Sequence, residues 1–292
     1  MISVLSPPRQ VLFVRSLTAT VIWLALLSAP GTNAQPSNSS PQIANFSDIA
    51  EQAGLTMMNV FGGKETKKYI IETTGTGVAI FDYDNDGWPD ILVADGHIEN
   101  EIEKVQKRVS YAEPPHLFRN LGQGKFQEVT QSVGAGFAAP KVARAAAYAD
   151  IDNDGSLDVL MTTNGGRAYL FHNEGVTNHS LRVKLKGTKS NRDGIGALVR
   201  VTSGTDKQSQ MLRSGSSYLS QSELALTFGL GGTGKADSIE VQWPSGQTDK
   251  VQNINAGQTI TIEEGKGMTS NTPYSKPWTS VSPTRASKIA FK

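Results

Sequence analysis

The sequence predicts an all-β protein in which partial β-propeller-like blades are followed by a C-terminal β-sandwich-like domain. Two acidic loops of nine residues, 82–90 and 150–158, begin 68 residues apart (150 − 82), and short apolar runs typical of strands flank each loop. A repeated unit of about four strands is typical of a propeller blade. From residue 180 onward, apolar and polar residues alternate between glycine-rich turns without a helical period, which predicts a sandwich.

The composition excludes several classes of function. The chain has 292 residues with a formal net charge of +1, so no strong positive field favours nucleic acid, and no basic cluster with interleaved aromatic residues is present. Cysteine is absent, which excludes disulfides, thiolate metal sites and a cysteine nucleophile. We therefore expect one or two domains and no nucleic-acid partner.

Residues 1–34 have the pattern of an export signal peptide. Two arginines precede an apolar run at 17–29, and the segment ends in a small residue, Ala34, that suits cleavage. The run is shorter than the roughly 20 residues of a membrane span, so we expect no stable span after signal cleavage; an uncleaved anchor is the alternative. The prediction is a secreted, periplasmic or extracellular protein. Residues 35–45, rich in Pro, Ser and Asn, are predicted to be a linker.

Residues 46–179 are predicted to hold two copies of one structural unit. The segments 46–55 and 126–135 share a pattern of aromatic, acidic and apolar residues that ends near a glycine. Residues 117–126 are typical of a hairpin, and 169–175 repeat its first arm. Each unit therefore reads as strand, acidic loop, strand and hairpin.

The two acidic loops predict metal sites. Each places aspartate at positions 1, 3, 5 and 9 and glycine at position 6. Four carboxylates in nine residues repel one another, and a hard cation such as calcium, which takes 6–8 oxygen ligands, would remove that cost. The loops differ from an EF-hand because position 12 is Val93 or Met161 instead of glutamate. The alternative is a turn held by Asx hydrogen bonds without metal.

The predicted ligands include backbone carbonyls at position 7 of each loop. They are Asp82, Asp84, Asp86, Trp88 and Asp90 for one Ca²⁺, and Asp150, Asp152, Asp154, Ser156 and Asp158 for a second.

The last third of the chain is predicted to be a separate β domain over 180–264. Leu181, Val183 and Leu185 alternate with Arg182 and basic neighbours, which predicts a half-buried strand with the basic side chains in solvent. Further strands are predicted at 197–202, 208–213, 224–228, 239–243 and 259–263. Residues 265–292 are rich in Ser, Thr and Pro and lack periodicity, so we predict a disordered tail.

These motifs resemble a known combination of domains. The acidic loops resemble FG-GAP/VCBS-type repeats of integrin-like propellers, and the segments 187–197, 213–222, 228–231 and 241–246 resemble the ASPIC/UnbV domain. The resemblance spans roughly 46–264 and implies secretion, calcium-loaded blades and binding without established catalysis. Two acidic loops are fewer than the 4–8 blades of a closed propeller. A shortened repeat region would expose sheet edges, which predicts self-association or packing of the blades on the sandwich.

The expected function is an exported calcium-binding module for protein interaction or adhesion, with calcium in a structural role. The expected partner is an extracellular protein or a glycan. The sequence has no Gly-x-Ser-x-Gly elbow, Walker loop or histidine zinc motif, so we expect no enzyme, no catalytic residues and no organic cofactor. The alternative is a secreted glycan-active enzyme or an accessory subunit of one.

Overall fold

The structure, a computed structural model, describes residues 46–57, 75–105, 107 and 109–275. The chain divides into two compact units, Met1–Asp48 and Ile49–Lys292, and all elements below belong to the second. The predicted signal peptide and linker lie outside the described residues, as does the tail from 276 onward. None of the described helices has the length and apolar character that a membrane span requires.

The first acidic loop joins two strands of a four-stranded antiparallel sheet. After a short helix α1 (Ala50–Ala53), the sheet consists of β1 (Val78–Phe81), β2 (Asp90–Val93), β3 (His116–Asn120) and β4 (Phe126–Glu128), in that spatial order, with helix α2 (Ile102–Val105) between β2 and β3. In β1, Ala79 and Phe81 are buried whereas Val78 and Ile80 are exposed, because successive side chains of a strand point to opposite faces. At β1, one face of the sheet is therefore buried in the core and the opposite face, which carries Val78 and Ile80, is exposed.

The second acidic loop lies in a three-stranded sheet built in the same way. A 3-10 turn (Thr130–Ser132) and helix α3 (Ala135–Ala138) lead into β5 (Ala143–Ala149), β6 (Asp158–Thr163) and β7 (Tyr169–Phe171), which pair in the order β5-β6-β7. The prediction of four strands in each repeat is met by the first acidic-loop sheet only. The second sheet has three strands, because the chain after β7 enters the C-terminal domain.

The two sheets share one hydrophobic core. Buried side chains from β1, β2 and β3 pack with those of α3, β5 and β6. The rings of Phe81 and Tyr148 stack with centroids 5.1 Å apart, and Phe137 meets Phe171 edge to face at 5.0 Å. Among the described residues both sheets stay open, so they form a blade-like pair without closure.

The C-terminal domain is a sandwich of two four-stranded sheets, as predicted. Its strands are β8 (His179–Lys186), β9 (Leu198–Ser203), β10 (Asp206–Met211), β11 (Leu226–Gly231), β12 (Lys235–Gln242), β13 (Thr248–Asn255), β14 (Gln258–Glu263) and β15 (Gly267–Pro273). One sheet has the order β10-β9-β12-β13 and the other β11-β8-β14-β15, in which β14 runs parallel to β8.

The sandwich core is apolar and well sealed. Leu181, Val199, Phe228 and Ile260 have no accessible surface, and each such buried side chain contributes about 1.5–3 kcal/mol relative to exposure. Trp243 belongs to this core, and its indole Nε1 donates a hydrogen bond to an Asp249 carboxylate 2.7 Å away, so its polar atom is satisfied.

The structure differs from the predicted disorder at the start of the tail. Residues Gly267–Pro273 form strand β15, paired antiparallel with β14. Most of its side chains are exposed, so the sequence of this strand shows no apolar periodicity. As an edge strand it is held by backbone hydrogen bonds. Tyr274 then packs against Gly155, where a Cβ atom would lie 2.1 Å from the tyrosine ring, and its hydroxyl lies 3.1 Å from Ser180 Oγ.

Candidate metal centre

The first acidic loop is folded by its own aspartates. Asp82 Oδ1 accepts the backbone N–H of Asp86 at 3.1 Å, and Asp82 Oδ2 accepts that of Gly87 at 2.8 Å. Asp86 Oδ1 in turn accepts the N–H of Trp88 at 2.9 Å. Asn85 and Gly87 adopt left-handed backbone conformations (φ 58° and 94°), which asparagine and glycine tolerate better than other residues. The turn therefore needs these residue types at positions 4 and 6.

The second loop repeats these contacts atom for atom. Asp150 Oδ1 accepts the N–H of Asp154 and Asp150 Oδ2 that of Gly155, both at 3.0 Å. Asp154 Oδ1 accepts the N–H of Ser156 at 2.7 Å. Asn153 and Gly155 are left-handed, with φ of 60° and 90°. The repeat seen in the sequence is thus a repeat of geometry.

The ninth aspartate of each loop ties the loop to the following hairpin arm. Asp90 Oδ2 accepts the N–H of Tyr83 at 3.0 Å, and Asp90 Oδ1 accepts the N–H of Asn120 at 2.7 Å. Asp158 makes the same two kinds of contact, the second to the N–H of Asn173 at 2.8 Å. Position 9 therefore closes the loop in both copies.

The aspartates at positions 1, 3 and 5 converge in each loop. One oxygen from each lies within 4.8 Å of the others for Asp82, Asp84 and Asp86, and likewise for Asp150, Asp152 and Asp154; Asp152, Asp158 and His172 form a third such group. An ion centred on such a triangle of atoms would lie at most about 2.8 Å from each, close to the 2.3–2.6 Å of calcium–oxygen bonds. These donor atoms fit a hard cation. The carbonyls of Trp88 and Ser156 stay predicted ligands.

Burial makes the first loop costly to ionise. It raises the pKa of Asp82 to about 8; the hydrogen bond from Gly87 opposes this shift, and the nearby charges of Asp86, Asp90 and Asp84 add to it. Burial also raises the pKa of Asp90 to about 7, against the hydrogen bonds from the backbone. A positive charge beside these carboxylates would favour their ionised forms.

A basic side chain that the sequence reasoning overlooked enters the first loop. Arg119 Nε lies 2.7 Å from Asp84 Oδ2, and Arg119 Nη2 lies 3.0 Å from Asp86 Oδ2. Burial raises the pKa of Asp84, the Asp86 charge raises it further, and Arg119 opposes both. The sequence signal that could have indicated this contact is the position of Arg119, which directly precedes Asn120 of the hairpin arm.

Histidine holds the equivalent position in the second copy. His172 directly precedes Asn173, its Nδ1 lies 2.9 Å from Asp158 Oδ1, and its Nε2 lies 4.0 Å from Asp152 Oδ2. The side chain at this position therefore contacts position 9 in the second loop, whereas in the first it contacts positions 3 and 5.

The sandwich anchors the second loop through a buried arginine. Arg182, on β8, has only 2% of its side chain exposed, which corrects the prediction that it faces solvent. Its Nη1 lies 2.9 Å from Asp150 Oδ2 and donates to Asn153 Oδ1 at 3.1 Å, and its Nη2 pairs with Glu223. Alternation on the strand could not reveal this, because the partners come from other segments of the chain.

The two loops also pack on each other and on the sandwich. Asn85 Nδ2 donates to the carbonyl of Gly155 at 3.1 Å, and the N–H of Gly231 donates to the carbonyl of Asn85 at 3.0 Å. A Cβ atom at Gly229 would lie 2.0 Å from Asp82 Oδ2, so glycine is required for this approach. The loops thus join the repeat sheets to the C-terminal domain.

Two family models match the chain. The model for ASPIC and UnbV matches residues 187–269, and the model for an FG-GAP-like repeat matches residues 108–161, which include the second acidic loop.

Curated relatives and a solved structure add similarity at low identity. The chain is 27% identical over 183 residues to Cartilage acidic protein 1 of Homo sapiens, covering 60% of this chain and 27% of the relative. It is 28% identical over 166 residues to the Mus musculus protein of the same name, covering 54% and 25%. The chain thus spans about a quarter of the length of these relatives.

The solved structure is a protein from Bacteroides ovatus described as a candidate cell adhesion protein. It is 12% identical with a TM-score of 0.20, covering 72% of this chain and 89% of that one, which does not establish a common fold. The two models match the parts of the chain in the predicted order, an FG-GAP-like repeat at 108–161 ahead of a segment similar to ASPIC and UnbV at 187–269.

Proposed function

We propose that this protein is an exported interaction or adhesion module in which calcium has a structural role. The observation that carries the proposal is the convergence of Asp150, Asp152 and Asp154, whose oxygens lie within 4.8 Å of one another. Asp154 Oδ2 is buried and accepts no hydrogen bond from any described residue, so a cation there would remove an unpaired charge. Oxygen donors without nitrogen or sulfur suit calcium.

The role of the ion follows from the position of the loops. Each loop connects two strands of a repeat sheet and contacts the sandwich, so an ion inside it would stiffen the junction between the two parts. The loop carboxylates are engaged in holding the turns, and we assign them to metal binding instead of acid–base catalysis. Extracellular modules bind calcium at about 10⁻⁴–10⁻³ M, which suits an exported protein.

The proposed partner is an extracellular protein or a glycan that contacts the groove between the first sheet and the sandwich. This groove has a volume of about 730 Å³ and includes Ile80, Trp88 and Met211 in its lining. All three side chains are about half exposed, and exposed apolar side chains along a concave surface are typical of binding sites.

The test is thermal unfolding of the chelator-treated protein with and without calcium. At 10 mM calcium and a dissociation constant of about 10⁻⁴ M, binding would add about 2.7 kcal/mol of stability, or roughly 5–10 °C in Tm. Asp84→Asn combined with Asp152→Asn, which changes position 3 of both loops, should abolish the shift, whereas Asp206→Asn, an exposed acid on β10, should preserve it. A wild-type protein whose Tm does not respond to calcium would refute the proposal.

A further inference from the structure

We infer that the groove between the first sheet and the sandwich binds an extended acidic peptide, which adds to the molecule as a β-strand. This inference rests on the proposed interaction role and names the class of partner for that groove. The groove is lined by β1 and by most of β10, and each is the terminal strand of its sheet in the described part of the chain. A terminal strand presents unpaired backbone N–H and C=O groups, with which another strand can pair.

The pairing of β10 with β9 shows which residues of β10 offer backbone groups at its free edge. Leu212 lies opposite Ala197 and donates its N–H to that carbonyl at 2.9 Å, so the two form a hydrogen-bonded pair. Backbone groups alternate between the two edges of a strand, so those of Lys207, Ser209 and Met211 point away from β9. All three residues line the groove.

Strand β1 offers a second free edge to the same groove. Ala94 lies opposite Gly77 and donates its N–H to that carbonyl at 2.9 Å. By the same alternation, the backbone groups of Val78 and Ile80 point away from β2. No other described strand pairs with this edge, and the two side chains are 40% and 57% exposed.

The third strand at the groove, β11, is closed by side chains of β10. Gln208 Nε2 donates to the carbonyl of Gly229 at 2.6 Å, and Gln210 Nε2 donates to that of Thr227 at 2.7 Å. These amides take the place of the N–H groups that a neighbouring strand would offer to β11. The sandwich thus closes the edge of β11 and leaves those of β1 and β10 to a partner.

The walls of the groove are fixed before a partner arrives. A Cβ atom at Gly87 would lie 3.2 Å from Gln208 Nε2, and one at Gly77 would lie 2.7 Å from Ser217 Oγ, so the first sheet touches the sandwich at both ends of β1. A preformed groove lowers the ordering cost of binding. This suits a partner that itself has to become ordered as a strand.

The charges of the groove favour an acidic peptide. The acids in its lining are engaged, because Asp82 accepts backbone N–H groups of its own loop and Glu223 pairs with Arg182. The basic residues of the lining, Lys207 and Arg213, are exposed. The groove therefore presents positive charge beside exposed apolar side chains, which fits an apolar stretch flanked by acidic residues.

Peptide binding to the full chain tests the inference. The probes are fluorescein-labelled peptides as long as β10 in which Val and Thr alternate, flanked by Asp in one peptide and by Lys in the other. In fluorescence anisotropy the Asp-flanked peptide should bind at least about threefold more tightly, since exposed ion pairs contribute modestly. Lys207→Glu combined with Arg213→Glu should reverse this preference.

A proline variant tests the strand pairing itself. Ser209→Pro removes an N–H that β9 does not use, and proline is tolerated at such edge positions, so Tm should change little. Binding of the Asp-flanked peptide should weaken at least about threefold through the lost hydrogen bond. Ser209→Ala keeps the N–H and is the matched control, which should bind like wild type.

Three results would overturn the inference. They are no binding of either peptide to wild type, equal binding by Ser209→Pro and Ser209→Ala, and a wild-type dimer that Ser209→Pro dissociates, which would place a second copy at the edge of β10. The calcium-dependent Tm shift is measured separately. If that shift persists while peptide binding fails, only the peptide inference falls and the calcium role stands.

Discussion

Removing Arg182 should destabilise the protein more than any surface substitution, because this side chain neutralises two acids inside the molecule. It pairs with Asp150 and Glu223, and the side chains of Arg182 and Asp150 are 2% and 0% exposed. In Arg182→Met the unbranched apolar side chain retains much of the packing of the arginine stem, so the main loss is the positive charge.

The expected loss in free energy of unfolding follows from leaving a buried carboxylate without its positive partner. Breaking a buried pair from one side costs about 3–5 kcal/mol, because the remaining carboxylate is neither hydrated nor paired. Burial raises the pKa of Asp150 and of Glu223, and Arg182 opposes both shifts. Without Arg182 both carboxyls bind protons more readily in the folded state. The extra loss of stability should therefore be greater at pH 8 than at pH 5.

The assay is urea unfolding in chelator, followed by tryptophan fluorescence and circular dichroism. The matched control is Lys184→Met, which removes an exposed cation from the same strand and should change stability by less than about 0.5 kcal/mol. An Arg182→Met variant that loses less than about 1 kcal/mol, or no more than the control, would refute the reasoning that the sandwich holds the second loop by this charge.

Two further predictions concern the sandwich and the first sheet. Burial acts to raise the pKa of Glu264, but hydrogen bonds from Ser245 Oγ, from the N–H groups of Ser190 and Thr188 and from Ser190 Oγ outweigh it and lower the pKa to about 2 from an ordinary 4.5. The stability from this carboxylate is therefore present above pH 4.5 and lost as pH falls toward 2. Glu264→Gln should lower Tm at pH 7 and reduce the fall of Tm between pH 4.5 and pH 2. A fall of Tm as steep as that of wild type would contradict this. Ile80 is 57% exposed on edge strand β1, and we expect it to support self-association. In light scattering after size exclusion, Ile80→Lys should raise the dissociation constant of the self-associated form at least about tenfold over wild type. A monomeric wild type would contradict the prediction.

The acidic loops and most strands could be predicted from the sequence because their causes are local. In the loops, the aspartate at position 1 accepts N–H groups only four and five residues away, and asparagine and glycine supply the left-handed turns. Strands β9 and β14 coincide within one residue with the segments predicted from alternation, since a strand with one buried face shows a period of two. The all-β class follows from the same local signals.

The cations around the loops were decided by the tertiary structure. Arg119 reaches Asp86 across 33 residues, and Arg182 reaches Glu223 across 41, so the sequence separation indicates neither contact; for Arg119 the one local signal is its position directly before Asn120. The burial of Arg182 contradicts the alternation of its own strand because a carboxylate on each side provides the compensation that burial of a charge requires. Strand β15 likewise forms because β14 has a free edge with which it can pair. The polar sequence of β15 does not predict this pairing.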